Sequence, residues 1–373
     1  MHRVGEYLIT PGAIDLHTHL REPGDNPAET IASGTRAALL GGFVLVSDMP
    51  NNPGMPVWDR ERLIRKQEIA EETAWIPTAF YAGSQPESDN IGELARMAPH
   101  AVGLKLYGDP TTGNVNTYEA QEFRGTIAEW HRVAPEKPIM FHSGENNLVD
   151  MIQLVAGQFE HPLHICHVNS PEQVEIVDEA KEMDMPVTCG VCPHHLLMTS
   201  HHELTHGAFA EVKPGLAHQT EAEELLYLLE EGHIDVIETD FAPHSVGAKL
   251  QAEHSGGHCY GMPGIEHVMS VLFYLAHKGH LSWDRLEQAT HIMPAAILGI
   301  SFENTQVTWN MEDKAYRIGE DDVKAQCGWS PYIGMFALGK LDAVSIGSHR
   351  VVEQGLLIHK HPEIVEKRGQ EVF

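Results

Sequence analysis

Ala13-Ile14-Asp15-Leu16-His17-Thr18-His19-Leu20-Arg21-Glu22-Pro23-Gly24 runs from an apolar, β-forming start into two histidines two residues apart. Side chains on a strand alternate with period two, so His17 and His19 point the same way. Two imidazoles converging on one point can ligate a metal ion. Arg21, two residues further on, is placed to hold an anionic group beside that metal. Polar residues at the C-terminal end of an apolar strand are therefore the pattern to follow through the chain.

The pattern recurs. Short β-forming runs fall at 13–19, 43–48, 75–81, 102–107, 138–142, 163–168, 187–191 and 234–240. Helical patterns at 28–40, 59–72, 117–133, 147–159, 171–183 and 221–231 lie between most of them. Gly41-Gly42 stops the first helix, and Pro171 opens the fifth at a position suited to proline. Eight strands separated by helices fit either a closed parallel (β/α)8 barrel of TIM type or a doubly wound open sheet. Polar strand ends far apart in sequence decide for the barrel, which brings them to one mouth. The expected division is an α/β barrel over 11–300 and a small β appendage from 1–10 and 301–373, where alternating runs such as Asp342-Ala343-Val344-Ser345-Ile346 appear.

With 53 acidic against 25 basic residues the formal charge is −28. A surface of that sign argues against a nucleic-acid partner. No apolar run approaches the roughly 20 residues that span a bilayer, and the N-terminus has no signal-peptide pattern. The expectation is a cytoplasmic chain with no membrane partner. The five cysteines have scattered spacing and do not read as a disulfide framework. Cys189 and Cys192 form a C-x-x-C, but with no second pair nearby they read as buried free thiols.

The candidate site residues follow from the strand ends. Lys105 is flanked by apolar neighbours in the fourth strand, where a buried ammonium is costly. It is either paired with a barrel acid or modified, since burial makes the amine nucleophilic and open to carboxylation by carbon dioxide. His142 ends the fifth strand. In the sixth, His164 and His167 are an odd distance apart and so face opposite sides; His167, nearer the end, is the candidate ligand. Asp240 ends the eighth and suits a metal ligand, a general base, or both. His17, His19, Lys105, His142, His167 and Asp240 are enough for two metals, and ligands without thiolates suit zinc. The loop Gly108-Asp109-Pro110-Thr111-Thr112-Gly113-Asn114 reads as either a mobile lid or a plain turn.

The chain resembles the dihydroorotases of the amidohydrolase superfamily, in the form found as a domain of the animal multifunctional pyrimidine-synthesis enzyme. Asp15 to Gly24 matches the signature D-x-H-x-H-L-R-E-P-G. Asp48-Met49-Pro50-Asn51, Gly103-Leu104-Lys105-Leu106-Tyr107, His164-Ile165-Cys166-His167-Val168, Cys192-Pro193-His194-His195 and Asp240-Phe241-Ala242-Pro243-His244 follow in the family's order and spacing. The resemblance implies two zinc ions per subunit. His17, His19 and Asp240 would hold the more buried ion, His142 and His167 the other, and carboxylated Lys105 would bridge them. It further implies that Arg21, Asn51 and His244 bind a substrate carboxylate and that Thr111 and Thr112 close over the ligand. The implied reaction is reversible cyclisation of N-carbamoyl-L-aspartate to L-dihydroorotate, through a metal-bridged hydroxide with Asp240 as general acid and base. A homodimer and association with aspartate transcarbamoylase are implied as well. Two departures stand out. Lys213, a further substrate-binding candidate, replaces an arginine and lacks its bidentate fork. Gly190 replaces a glutamate that stands near an additional zinc, which implies no such ion there. A related cyclic amidase, allantoinase or hydantoinase, shares the metal set, but its cyclic substrate offers no carboxylate for Arg21 and Asn51. A non-catalytic dihydroorotase-like scaffold would lack several of the metal residues.

Overall fold

The computed structural model describes residues 1–25, 28–111, 116–142, 147–301, 304–312 and 314–366. Eight parallel strands follow one another around a barrel: Ala13–Thr18, Phe43–Asp48, Thr78–Gly83, Gly103–Tyr107, Ile139–His142, Leu163–Cys166, Val187–Val191 and Val236–Ile237. All but one residue of these strands are buried, as expected of a parallel sheet covered by helices. The barrel closes where Thr18 bridges Phe241 and the His19 amide donates to the Phe241 carbonyl at 2.8 Å. The eighth strand is regular for only two residues, against seven expected from the sequence; past it, Asp240 takes φ +45° and leaves the extended region.

The helices between strands start where local chemistry favours them. Thr30 caps Ile31–Leu40 by accepting from the Ser33 amide at 3.1 Å. Ser170 caps Pro171–Glu182, with proline at the first helical position. The expected helix over 147–159 splits into an α segment, Leu148–Ile152, and a π-helical segment, Gln153–Gln158. Helices Ile91–Met97, Pro193–Leu197 and Ser200–His206 have no counterpart in the sequence reading. Each is only five to seven residues long, too short for its apolar spacing to stand out.

The two ends of the chain share a six-stranded antiparallel sheet, in the order His2–Val4, Tyr7–Thr10, Thr305–Asn310, Lys340–Ile346, His349–Glu353, Leu356–Leu357. Trp309 fastens it to the barrel: its indole N–H donates within the sheet to Thr10 Oγ1 at 3.2 Å, and its ring packs on the barrel where a side chain on Gly42 (φ +83°) would stand. The chain then returns to the barrel, and Ile364–Val365 pairs in parallel with the start of the third strand, Thr78 and Ala79. Among the described residues, no helix is long and apolar enough to cross a membrane.

Candidate active site

The C-terminal ends of strands one, four, five, six and eight bring His17, His19, Lys105, His142, His167 and Asp240 to one mouth. Asp240 Oδ1 lies 3.0 Å from His19 Nε2 and 3.5 Å from His17 Nε2. His142 Nδ1 and His167 Nε2 are 2.8 Å apart. The His17 ring is 5.2 Å from that of His19 and 5.1 Å from that of His167, centre to centre. Ligand atoms of His17, His167 and Asp240 all lie within 4.8 Å of one another. Burial holds the four imidazoles below their ordinary basicity, His17 at about 4, with Lys105 adding to the effect at His17 and His142 and Arg21 at His19. They are therefore neutral, the form that binds metal. Burial pushes the Asp240 carboxyl above its usual value, and the nearby Lys105 partly offsets this.

Asn51 Oδ1 accepts from His19 Nδ1 at 2.8 Å, which leaves Nε2 facing Asp240. Lys105 is fully buried and, among the described residues, forms no ion pair; its amine lies 3.0 Å from Cys166 Sγ and over the Tyr107 ring. The expected alternative of a salt bridge to a barrel acid is thus not realised.

A pocket above these groups is lined by His19, Arg21, Asn51, Thr111, Lys213, Asp240 and Tyr260. Arg21, at φ +64°, directs Nε towards the Pro243 carbonyl (3.4 Å) and Nη2 towards His244 Nε2 (3.3 Å), while Nη1 is buried without a partner. His244 Nε2 donates to the Tyr260 carbonyl at 2.8 Å, so it stands near the guanidinium without accepting from it. Lys213 Nζ stands 5.4 Å from the centre of the Tyr260 ring. Thr112, like the rest of 112–115, lies outside the described residues.

One reading of strand geometry needs correction. His164 does not face away from His167: its Nε2 is 3.6 Å from Glu238 Oε2, beside His17. Period-two parity fails because His167 adopts φ +41°, which turns its side chain back towards the interior. Cys189 and Cys192 are free and buried, as the sequence reading expected, and they face different surroundings. Cys189 Sγ approaches the His233 carbonyl at 3.8 Å, whereas Cys192 clusters with His194 and His195.

Glu238 is a member of the buried cluster that the sequence reading missed. It is fully buried, and its Oε1 accepts the His167 amide at 2.5 Å. Burial alone would raise its carboxyl pKa, but His164 and His17 beside it overcome this and hold it well below the usual range. Its spacing of two from Asp240 was the available signal.

The profile of the Amidohydrolase family matches residues 8–304. The chain belongs to that family. Among relatives of this amidohydrolase, the "Multifunctional protein CAD" of Squalus acanthias is 32% identical over 338 residues, which are 90% of this chain but 14% of that protein. The Dictyostelium discoideum "Multifunctional protein pyr1-3" is 29% identical over 96% of this chain and 15% of its own length. The chain thus spans about a seventh of those two relatives. A "Dihydroorotase" of Leifsonia xyli is 31% identical, covering 80% of this chain and 74% of its own. The L-hydantoinase of Arthrobacter aurescens superposes with a TM-score of 0.85 at 20% identity, over 98% of this amidohydrolase and 88% of the hydantoinase. The inactive dihydroorotase-like domain of the Chaetomium thermophilum CAD-like protein superposes at 0.77 and 19% identity, over 97% and 99%. At such identities the superpositions speak for the barrel alone.

Proposed function

We propose that this amidohydrolase is a dihydroorotase, interconverting N-carbamoyl-L-aspartate and L-dihydroorotate in de novo pyrimidine biosynthesis. The observation that carries the reading is the Arg21 guanidinium, buried beside His19 and Asp240 with Nη1 unpaired. A buried unpaired donor is costly, and a carboxylate beside the scissile amide is what it fits. Hydantoin and allantoin offer no carboxylate there.

The donor set fits two metal ions. His17, His19 and Asp240 would hold one, His142 and His167 the other, and a carboxylated Lys105 would bridge them; an amine buried with no ion pair favours the modification. When bound, such ions polarise the amide carbonyl and acidify water. Asp240, held beside His17 and His19 at the mouth, would take up a proton and deliver it to the leaving ring nitrogen. Arg21, Asn51, His244 and Lys213 fix the substrate carboxylate, with Thr111 and Thr112 closing over it, so that the carbonyl is held in register with Asp240. The names of the CAD-type relatives favour a multienzyme setting, with a homodimer and contact with aspartate transcarbamoylase as the partner reading, in the cytoplasm.

The test is turnover of dihydroorotate, followed by ultraviolet absorbance, against hydantoin and allantoin, with zinc counted on the same sample. Selective hydrolysis of dihydroorotate supports the reading. No turnover with two zinc ions bound, or preference for a substrate lacking the carboxylate, overturns it.

A further inference from the structure

The seventh barrel strand gives no ligand to the cluster just described, yet it ends in Cys192-Pro193-His194-His195, three metal-binding side chains in four residues. All three are at least 98% buried, and one ligand atom from each lies within 4.8 Å of the other two. His195 is oriented as a ligand. Its Nε2 donates to the Pro214 carbonyl at 3.1 Å, which leaves Nδ1 as the nitrogen with the lone pair, and Nδ1 is buried without a partner. Histidines bound to metals usually donate their other nitrogen in this way. His194 Nε2 is likewise buried and unpartnered, and the two rings meet edge to face with centres 4.4 Å apart. Two neutral imidazole nitrogens left orphaned beside a thiol leave about 1–3 kcal/mol each uncompensated, and a cation at their centre would satisfy both.

We propose that Cys192, His194 and His195 form a further transition-metal site, distinct from the histidine–aspartate cluster, for a zinc-like ion. One sulfur and two imidazole nitrogens favour zinc over magnesium or calcium. On binding, the ion takes the Cys192 thiolate and the thiol proton passes to solvent. Tetrahedral zinc ligands stand about 3.5 Å apart, so modest side-chain rotation closes the cluster around the ion. The ion would fix His195 and, through Pro214, the neighbouring Lys213 in the pocket wall. The other buried thiol at the barrel mouth, Cys166, groups with His17 and Glu238 rather than with these three residues and is the natural control.

X-ray absorption at the zinc edge of the zinc-loaded full chain reads sulfur ligation directly, whatever the substrate. A sulfur shell at about 2.3 Å is expected. It should be lost, together with about one equivalent of zinc, in Cys192→Ala and kept in Cys166→Ala. Cys192→Ser, closer in size, gives the same reading if the alanine variant does not fold. Absence of sulfur from the wild-type spectrum, or its loss in Cys166→Ala with retention in the Cys192 variants, overturns the proposal.

Discussion

On the proposed reading, Arg21 would bind substrate without binding metal, a division that one side chain can test. It holds left-handed backbone (φ +64°) and contacts Pro243 and His244, with no contact to a proposed metal ligand among its hydrogen bonds. Arg21→Met should therefore raise KM for dihydroorotate by roughly 10–100-fold, the worth of one or two charge-assisted hydrogen bonds, while bound zinc stays at the wild-type count. Zinc loss in parallel with activity would place Arg21 in the metal site instead. Much of this site was legible in the sequence because His17, His19, Lys105, His142 and Asp240 each sit at or near a strand end with an apolar run before them. His164 and Glu238 were not legible in the same way. The parity rule that places side chains assumes extended backbone, and the chain leaves that region at His167 and Asp240. Glu238 shows its role only once the first, sixth and eighth strands lie side by side.

At the level of elements, the seventh and eighth strands fit through the absence of a side chain. A Cβ on Gly190 would stand 2.7 Å from Glu238 Oε1 and 2.9 Å from Val236 Cγ2. The Glu238 carboxylate thus occupies space that a side chain at 190 would need. It has no free direction in which to move, because it accepts the His167 amide and faces both His17 and His164. Gly190→Ala should cost about 1–3 kcal/mol by overpacking and should also lower metal retention, since displacing Glu238 disturbs His167 and His17. The check is the urea midpoint together with zinc content; a destabilised variant with full zinc would show that Glu238 does not orient the ligands. Strand positions were readable to within a few residues because buried parallel strands are short apolar runs. The small helices after the third and seventh strands were not, because the tertiary packing that defines them leaves little local periodicity.

Across the whole molecule, the segment after residue 300 is tied to the barrel at two places. Near the mouth, Glu29 accepts the Gln326 amide at 3.1 Å and is almost fully buried. Burial, with the Glu266 carboxylate adding, raises its pKa from 4.5 to about 7. Between those values the folded chain keeps a proton that the unfolded chain has released, so this group's contribution to stability falls as pH rises through that window. Glu29→Gln keeps an acceptor without the charge. It should remove that slope and stabilise the protein at pH 8, by up to about 3 kcal/mol; unfolding midpoints at pH 5 and pH 8 give the answer, and an unchanged slope refutes it.

At the opposite end of the barrel, Glu363 to Glu366 complete the third strand's edge. The Thr78 amide donates to the Glu363 carbonyl at 2.8 Å, Val365 is fully buried, and Lys137 Nζ donates to the carbonyls of Glu366, Ala98 and Ala101 at 2.6–2.7 Å. The Glu366 carboxylate also meets His100 at 3.0 Å. Ending the chain after His361 would expose about 1.5–3 kcal/mol of apolar burial at Val365 and leave a buried lysine short of one acceptor, worth about 1 kcal/mol or more. The proposed metal ligands are at the other end of the strands, so bound metal and kcat at low temperature should persist. The truncated chain should therefore unfold at clearly lower urea with its zinc intact, whereas an unchanged midpoint would mean that Ile364–Val365 is an ornament on the barrel rather than part of it.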